Sequence, residues 1–160
     1  GTWADVIYNQ DTIRIYAIHL SSNHVTKVTD EVLDKPDIRK KKTWGNIRYV
    51  LAKYNKHAKI RAGQLKKILD HARKSSYRNV LAGDFNDIPQ SYVYNLVSRE
   101  YRDAFRDCGS GIQKTFISAI PGLRIDYTFV DKKIKVLSQR LIKSKLSDHY
   151  PLLTNIDLAN

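Results

Sequence analysis

The chain has 160 residues, 42% of them hydrophobic with ten Tyr and two Trp, which suits one domain with a real core and excludes intrinsic disorder. Its net charge of +12 points to anionic partners, and no apolar run approaches the roughly 18 residues of a membrane span. The single Cys108 excludes an internal disulfide and a cysteine-based zinc site.

Residues 3–9 and 12–20 predict two strands about a Gln10-Asp11 turn, an antiparallel hairpin. The first twenty residues lack a basic start ahead of an apolar stretch, so no signal peptide is visible; position 1 is Gly rather than Met, and the compartment stays open. In the second strand Ile13, Ile15, Ala17 and His19 alternate with Arg14, Tyr16, Ile18 and Leu20, and the last residues are apolar on both faces, as in a central strand. His19 stands at its end. Residues 21–38 are polar, contain Pro36 and lack a period, which predicts loop with room for a short helix.

Apolar residues then recur at steps of three and four: Trp44, Ile47, Leu51, Tyr54, Ala58, Ala62, Leu65, Leu69, Ala72. This is one face of a helix of about thirty residues, or of two helices broken near Gly63. Residues 39–78 hold fourteen Lys or Arg against Asp70 alone, a balance of +13, and the rest of the chain sums to −1. Such a block attracts nucleic acid, an anionic membrane or a phosphorylated substrate, or is simply the solvated face of the helix. The helix returns the chain to a strand at 78–82, so residues 12–82 have the form of a strand–helix–strand crossover, which implies parallel pairing if both strands share a sheet.

That strand, Val80-Leu81-Ala82, breaks at Gly83 and delivers Asp84 and Asn86 to its C-terminal lip, two apart and so on one side. Asp87 is placed to cap the next element, which Pro89 opens. Residues 90–98 predict a short helix that Tyr101 to Phe105 could continue, and Gly109-Ser110-Gly111 a loop. Residues 125–131, 134–142 and 151–157 predict strands, the first two joined by a turn at Asp131-Lys132-Lys133.

Polar groups therefore gather at strand ends: His19, Asp84 with Asn86, Asp126, and Asp148-His149. Asp126 lies between Ile125 and Tyr127, where a buried carboxylate needs a partner. An Asp–His pair fixes an imidazole tautomer and raises its basicity. Carboxylate and amide oxygens without a cysteine cluster suit Mg²⁺ or Mn²⁺ better than zinc. Each position also has a plain reading: an Asp- and Asn-rich turn, a satisfied strand-end histidine, a structural buried acid, and a cap at Asp148.

Taken in order, Ile18-His19-Leu20, Gly83-Asp84-Phe85-Asn86, Arg124-Ile125-Asp126-Tyr127 and Ser147-Asp148-His149-Tyr150-Pro151-Leu152 resemble the motifs of the endonuclease/exonuclease/phosphatase family, across residues 3–157. The resemblance implies an α/β fold, the C-terminal part of a two-sheet α/β sandwich, with a mixed sheet, one long basic helix and one shorter helix. It implies a metal-dependent hydrolase of phosphate esters, foremost a nuclease-like phosphodiesterase, with Mg²⁺ (or Mn²⁺) as cofactor and a phosphate ester, nucleic acid included, as substrate. His149 would act on the scissile phosphate with Asp126 paired to it, and Asp84 would orient or deprotonate the attacking water. Asn86 would hold that water or a phosphoryl oxygen, Asp148 would help bind the metal, and His19 would contact the phosphate or assist the leaving group; Arg124 either reaches a phosphate or, the favoured reading, simply precedes the strand. A lipid or inositol phosphoesterase of the same family is the alternative activity. A non-catalytic module that binds nucleic acid or other anions through the basic helix is the alternative of another class.

Family members normally carry an early Asn and a metal-binding Glu in an N-terminal half. Glu31 and Glu100, the two glutamates here, stand in neither context. Residues 1–160 are thus expected to form an incomplete domain without that half, inactive alone or self-associating through an apolar sheet face left open.

Overall fold

The computed structural model describes residues 1–22, 41–117 and 122–158, with the backbone alone for 41–53. Strands β1 (Thr2–Tyr8) and β2 (Asp11–His19) form the expected hairpin, turning through Asn9 at φ 56°. Helix α1 (Lys41–Ala72) is continuous. Gly63 does not break it, because that position is exposed and only the modest helix cost of glycine applies there. Of the loop predicted at 21–38, residues 23–38, with Glu31 and Pro36, lie outside the described residues, as do the side chains of Trp44, Ile47 and Leu51.

After α1 the chain enters β3 (Arg78–Asp84), α2 (Tyr92–Ser98), β4 (Tyr101–Asp103), α3 (Ala104–Cys108), β5 (Asp126–Asp131), β6 (Lys135–Leu141) and β7 (Leu152–Asp157). Five strands make a mixed sheet in the order β1-β2-β3-β5-β4, in which β2 and β3 are the parallel pair the crossover implied. Strands β6 and β7 pair antiparallel as a second sheet. The turn after Asp131 is present, with the Ile134 N–H donating to the Asp131 carbonyl at 2.9 Å. It carries the chain from one sheet to the other, so β5 and β6 do not pair. This is the two-sheet α/β architecture expected from the sequence.

Alternation sorts the five-stranded sheet into two faces. Tyr16, Ile18, Leu81, Tyr127 and Phe129 face Leu65, Leu69 and Ala72 of α1 and Val93, Tyr94 and Val97 of α2 in one buried cluster. Ile13, Val80 and Val130 face the other way, with Ile134, against Val136 and Ile156 of the second sheet. The wider face is aromatic: the Phe85, Tyr94, Tyr127 and Phe129 rings meet at 5.3–5.5 Å between centroids, an arrangement worth about 0.5–1.5 kcal/mol per pair beyond area burial.

Two local expectations are corrected. Tyr101 to Phe105 does not extend α2: Tyr101–Asp103 pairs with β5, and Asp103 caps α3 by accepting from the Phe105 N–H. The cap of α2 is Ser91, whose hydroxyl accepts from Tyr94 N–H, not Asp87, which is buried in an ion pair.

Candidate active site

The register of three adjacent strands builds the site. His19 stands opposite Asp84 across the parallel pair, and Asp84 opposite Asp126 across the antiparallel one. All three occupy the face that carries Ile13, Val80 and Val130, away from α1. Gly83 permits this close rung: its φ is +133°, and a Cβ there would meet the Ile18 carbonyl oxygen at 2.1 Å. Beyond it Asn86 takes φ 52°, a left-handed turn that asparagine tolerates well. The Leu20 N–H donates to the Asp84 carbonyl and the Phe85 N–H to the Ile125 carbonyl, both at 2.9 Å, so the lip stays knitted past the strand ends.

His149 arrives from the segment ahead of β7. There Phe116 bridges to His149, Tyr150 N–H donates to Thr115 O and Ile117 N–H to Asp148 O, both at 2.8 Å. Thr115 is wholly buried, and its hydroxyl accepts from the N–H groups of Ile125 and Asp126 at 3.0 and 3.1 Å. One threonine therefore joins the His149 segment to the start of β5. The Phe116 ring meets the imidazole edge-on at 4.8 Å, and His149 Nδ1 lies 3.0 Å from both Asp126 oxygens.

Ligand atoms of Asp84, Asp126 and His149 lie within 4.8 Å of one another. Burial is the main cause that raises the Asp84 pKa, with the Asp126 charge adding to it; the Asn86 N–H and the two imidazoles oppose the rise. For His149 burial pulls downward, but the hydrogen bond and charge of Asp126, with Asp84 and Asp148 behind it, outweigh that and the pKa rises. Two carboxylates and an imidazole fit a divalent cation that accepts oxygen and nitrogen ligands and keeps some of its water.

Asn86 holds Asp84 still. Its N–H donates to Asp84 Oδ1 and its Nδ2 to Asp84 Oδ2, both at 2.7 Å, while Nδ2 also donates to Leu20 O at 2.9 Å. Both amide donors are thus engaged, and the role left to its side chain towards a ligand is acceptance by Oδ1. His19 is largely exposed, with Nε2 3.7 Å from Asp84 Oδ2. Asp148 is exposed, accepts from the Ser147 hydroxyl at 3.3 Å and stands outside the three-residue group.

Arg124 is the clear correction. It is 7% exposed, pairs with Asp103 at 2.8 Å, and its guanidinium lies over Tyr127 and Phe105 at 4.6 and 4.9 Å. A guanidinium so enclosed is a core residue, not a contact for substrate. The sequence reading also missed Asp87, which takes hydrogen bonds from Tyr54 and Arg61, and the joining role of Thr115. Arg61 and Tyr54 did leave a signal, because they sit seven apart on the core-facing side of α1.

A model of the Endonuclease/Exonuclease/phosphatase family matches residues 6–149. The chain belongs to that family. No curated protein matches the sequence. Among solved structures, a functionally unknown conserved protein from Enterococcus faecalis V583 superposes with a TM-score of 0.61 at 19% identity, over 92% of this chain and 50% of that one. An endonuclease/exonuclease/phosphatase from Bacteroides vulgatus gives 0.57 at 24%, over 64% of this chain and 45% of the other. One from Beutenbergia cavernae DSM 12333 gives 0.57 at 22%, over 96% and 38%. The chain thus spans half or less of the length of these structures, and identities at this level speak to the fold. Within the endonuclease/exonuclease/phosphatase fold, the Asp84, Asp126 and His149 group is a possible divalent-metal site.

Proposed function

We propose that the chain carries the catalytic half-site of a metal-dependent hydrolase of phosphate esters, most specifically a nuclease-like phosphodiesterase. The observation that carries the reading is the rung His19–Asp84–Asp126 with His149 set against it. Asp126 fixes the imidazole through Nδ1, so Nε2 is the nitrogen turned to a substrate. It can donate to a phosphoryl oxygen or to the leaving oxygen. Asp84 is placed at the lip to orient or deprotonate an attacking water. Asn86 keeps that carboxylate in one orientation, and its Oδ1 can accept from the same water. His19 stands where it can meet a phosphate from the β2 side. Mg²⁺ or Mn²⁺ held by Asp84 and Asp126 would neutralise phosphate charge and lower the pKa of bound water.

The alternative substrates, lipid or inositol phosphate esters, use the same groups. The non-catalytic reading loses support from α1. Its described part packs on the opposite sheet face, and three of its basic residues or their neighbours, Arg61, Arg73 and Arg78, are paired with Asp87, with Asp70 and Glu100, and with Asp11. Self-association also belongs to the proposal. On the catalytic face Thr2, Ala4, Val6 and Tyr8 of β1 and Ala17 of β2 are exposed, and β7 pairs on one edge only among the described residues.

Hydrolysis of an activated phosphodiester, with Mg²⁺ or Mn²⁺ and then with chelator, tests the reading. Metal-dependent turnover lost in Asp84→Ala and His149→Ala supports it, and a rate that rises faster than protein concentration supports self-association. Turnover unchanged in both variants would overturn the assignment of the site.

A further inference from the structure

Helix α1 changes what it presents to the body of the protein part-way along. From Leu65 through Leu69 to Ala72 the inward stripe is apolar and fully buried. On the preceding turns the residues at steps of three and four are Tyr54, His57, Arg61 and Gln64, all polar. Each of them reaches at least one of two segments: the residues just past His19 or the residues just past Asp84.

On the β3 side the Tyr54 hydroxyl donates to Asp87 Oδ1 at 2.6 Å and Arg61 Nε to Asp87 Oδ2 at 3.0 Å, with both members of the ion pair sealed from solvent. Tyr127 adds a hydrogen bond from its hydroxyl to the Asp87 carbonyl at 2.8 Å. On the β2 side Gln64 Oε1 accepts from the Ser21 N–H at 2.9 Å, Arg61 donates to the Ser21 carbonyl at 3.3 Å, and His57 Nδ1 meets the Ser21 hydroxyl at 3.2 Å. Arg61 grips both segments. The two segments are in turn tied to each other through Leu20, whose N–H and carbonyl bond Asp84 and Asn86. Breaking a buried ion pair leaves an unmatched charge, so this arrangement resists sliding of either segment.

We propose that Tyr54, Arg61, Gln64 and Asp87 form a positioning clamp that sets the distance and angle between His19 and Asp84. The clamp lies on the opposite sheet face from the carboxylates and touches no reacting atom; it acts through the backbone of Ser21 and Asp87. A charge that the sequence offers to an anionic partner is instead spent inside the fold at Arg61. The kinetic consequence of the clamp rests on the phosphoesterase reading, whereas its mechanical consequence does not.

Tyr54→Phe and Gln64→Ala test it, each removing one tie while leaving the Arg61–Asp87 pair in place. Amide exchange of Leu20 and Asn86, the two N–H groups that bond Asp84, is expected to quicken about tenfold in each variant, with Val130 in mid-sheet unchanged. In a protein that turns over substrate, kcat is expected to fall by about ten- to a hundredfold with KM little changed, as misplacement remote from the chemistry does. Unchanged exchange at Leu20 and Asn86 in both variants overturns the clamp, as does quickened exchange with wild-type kcat. Quickened exchange in a protein whose wild type shows no turnover upholds the clamp without supporting the phosphoesterase reading.

Discussion

On the aromatic side of the five-stranded sheet, Arg61 with Asp87 and Arg124 with Asp103 are sealed: side-chain exposure is 0% and 1% in the first pair, 8% and 1% in the second. Each of these carboxylates also receives a tyrosine hydroxyl, from Tyr54 and Tyr94. Across the sheet, Asp126 and His149 keep 15% and 32% exposure, and a second carboxylate, Asp84, stands beside them instead of a cation. Buried charge that is matched and enclosed holds a fold together or is costly to break. Charge that is half-buried, convergent and like-signed does neither well, and it is what a bound cation would match.

If that division is right, the two kinds of cluster fail differently when cut. His149→Ala is expected to lower phosphodiester turnover by about 10²–10⁴-fold, the usual reach of a positioned acid or base. Its thermal midpoint should stay near that of the wild type, and a midpoint that collapses along with the activity would make His149 a structural residue. Arg61→Met is expected to cost about 3–5 kcal/mol of stability by urea unfolding, because Asp87 is left charged and buried. Adding Asp87→Leu should return part of that loss, and a double variant no more stable than the single one would count against the pair. Gly83→Ala joins the two regions. Its positive φ and the Ile18 carbonyl in its path predict a loss of about 1–3 kcal/mol, read in the same titration.

The smallest effect is the most local. In metal-free protein the His149 imidazole, followed by NMR, is expected to titrate above its ordinary value, and Asp126→Asn should bring it back down. The sign follows from a pKa raised on folding. The stabilising contribution is complete below the unfolded value and is lost as pH rises through the folded one. A midpoint that Asp126→Asn does not move would separate the histidine from its carboxylate.

Much of this arrangement is legible in the residues. The alternation of β2, the crossover helix and the Gly83 break place His19 and Asp84 at neighbouring strand ends, and the apolar frame of Asp126 marks a third. What escapes is whatever depends on a partner distant in sequence. Asp87 resembles a helix cap because Asp in a turn usually is one, and its true partners lie on α1. Arg124 opens a motif and so could be a phosphate contact as well as a residue that precedes a strand, yet Asp103 takes its charge. Strand β4 is three residues long, too short to show a period against the helix before it. The switch between sheets after Asp131 leaves no mark either, since a tight turn is the same whether or not its strands pair.

The parallel pairing of β2 with β3 has a consequence for the order of folding. All of α1, 32 residues, lies between the two strands, so their ladder is a non-local contact that closes a long loop. Helix contacts form within the chain's own turns, whereas the rung from His19 to Asp84 waits on that closure. In pulse-labelled hydrogen exchange the α1 amides are expected to gain protection before those of β3. His19 and Asp84 would then be among the last parts of the molecule to meet, and a nascent chain would display its basic helix before that rung existed.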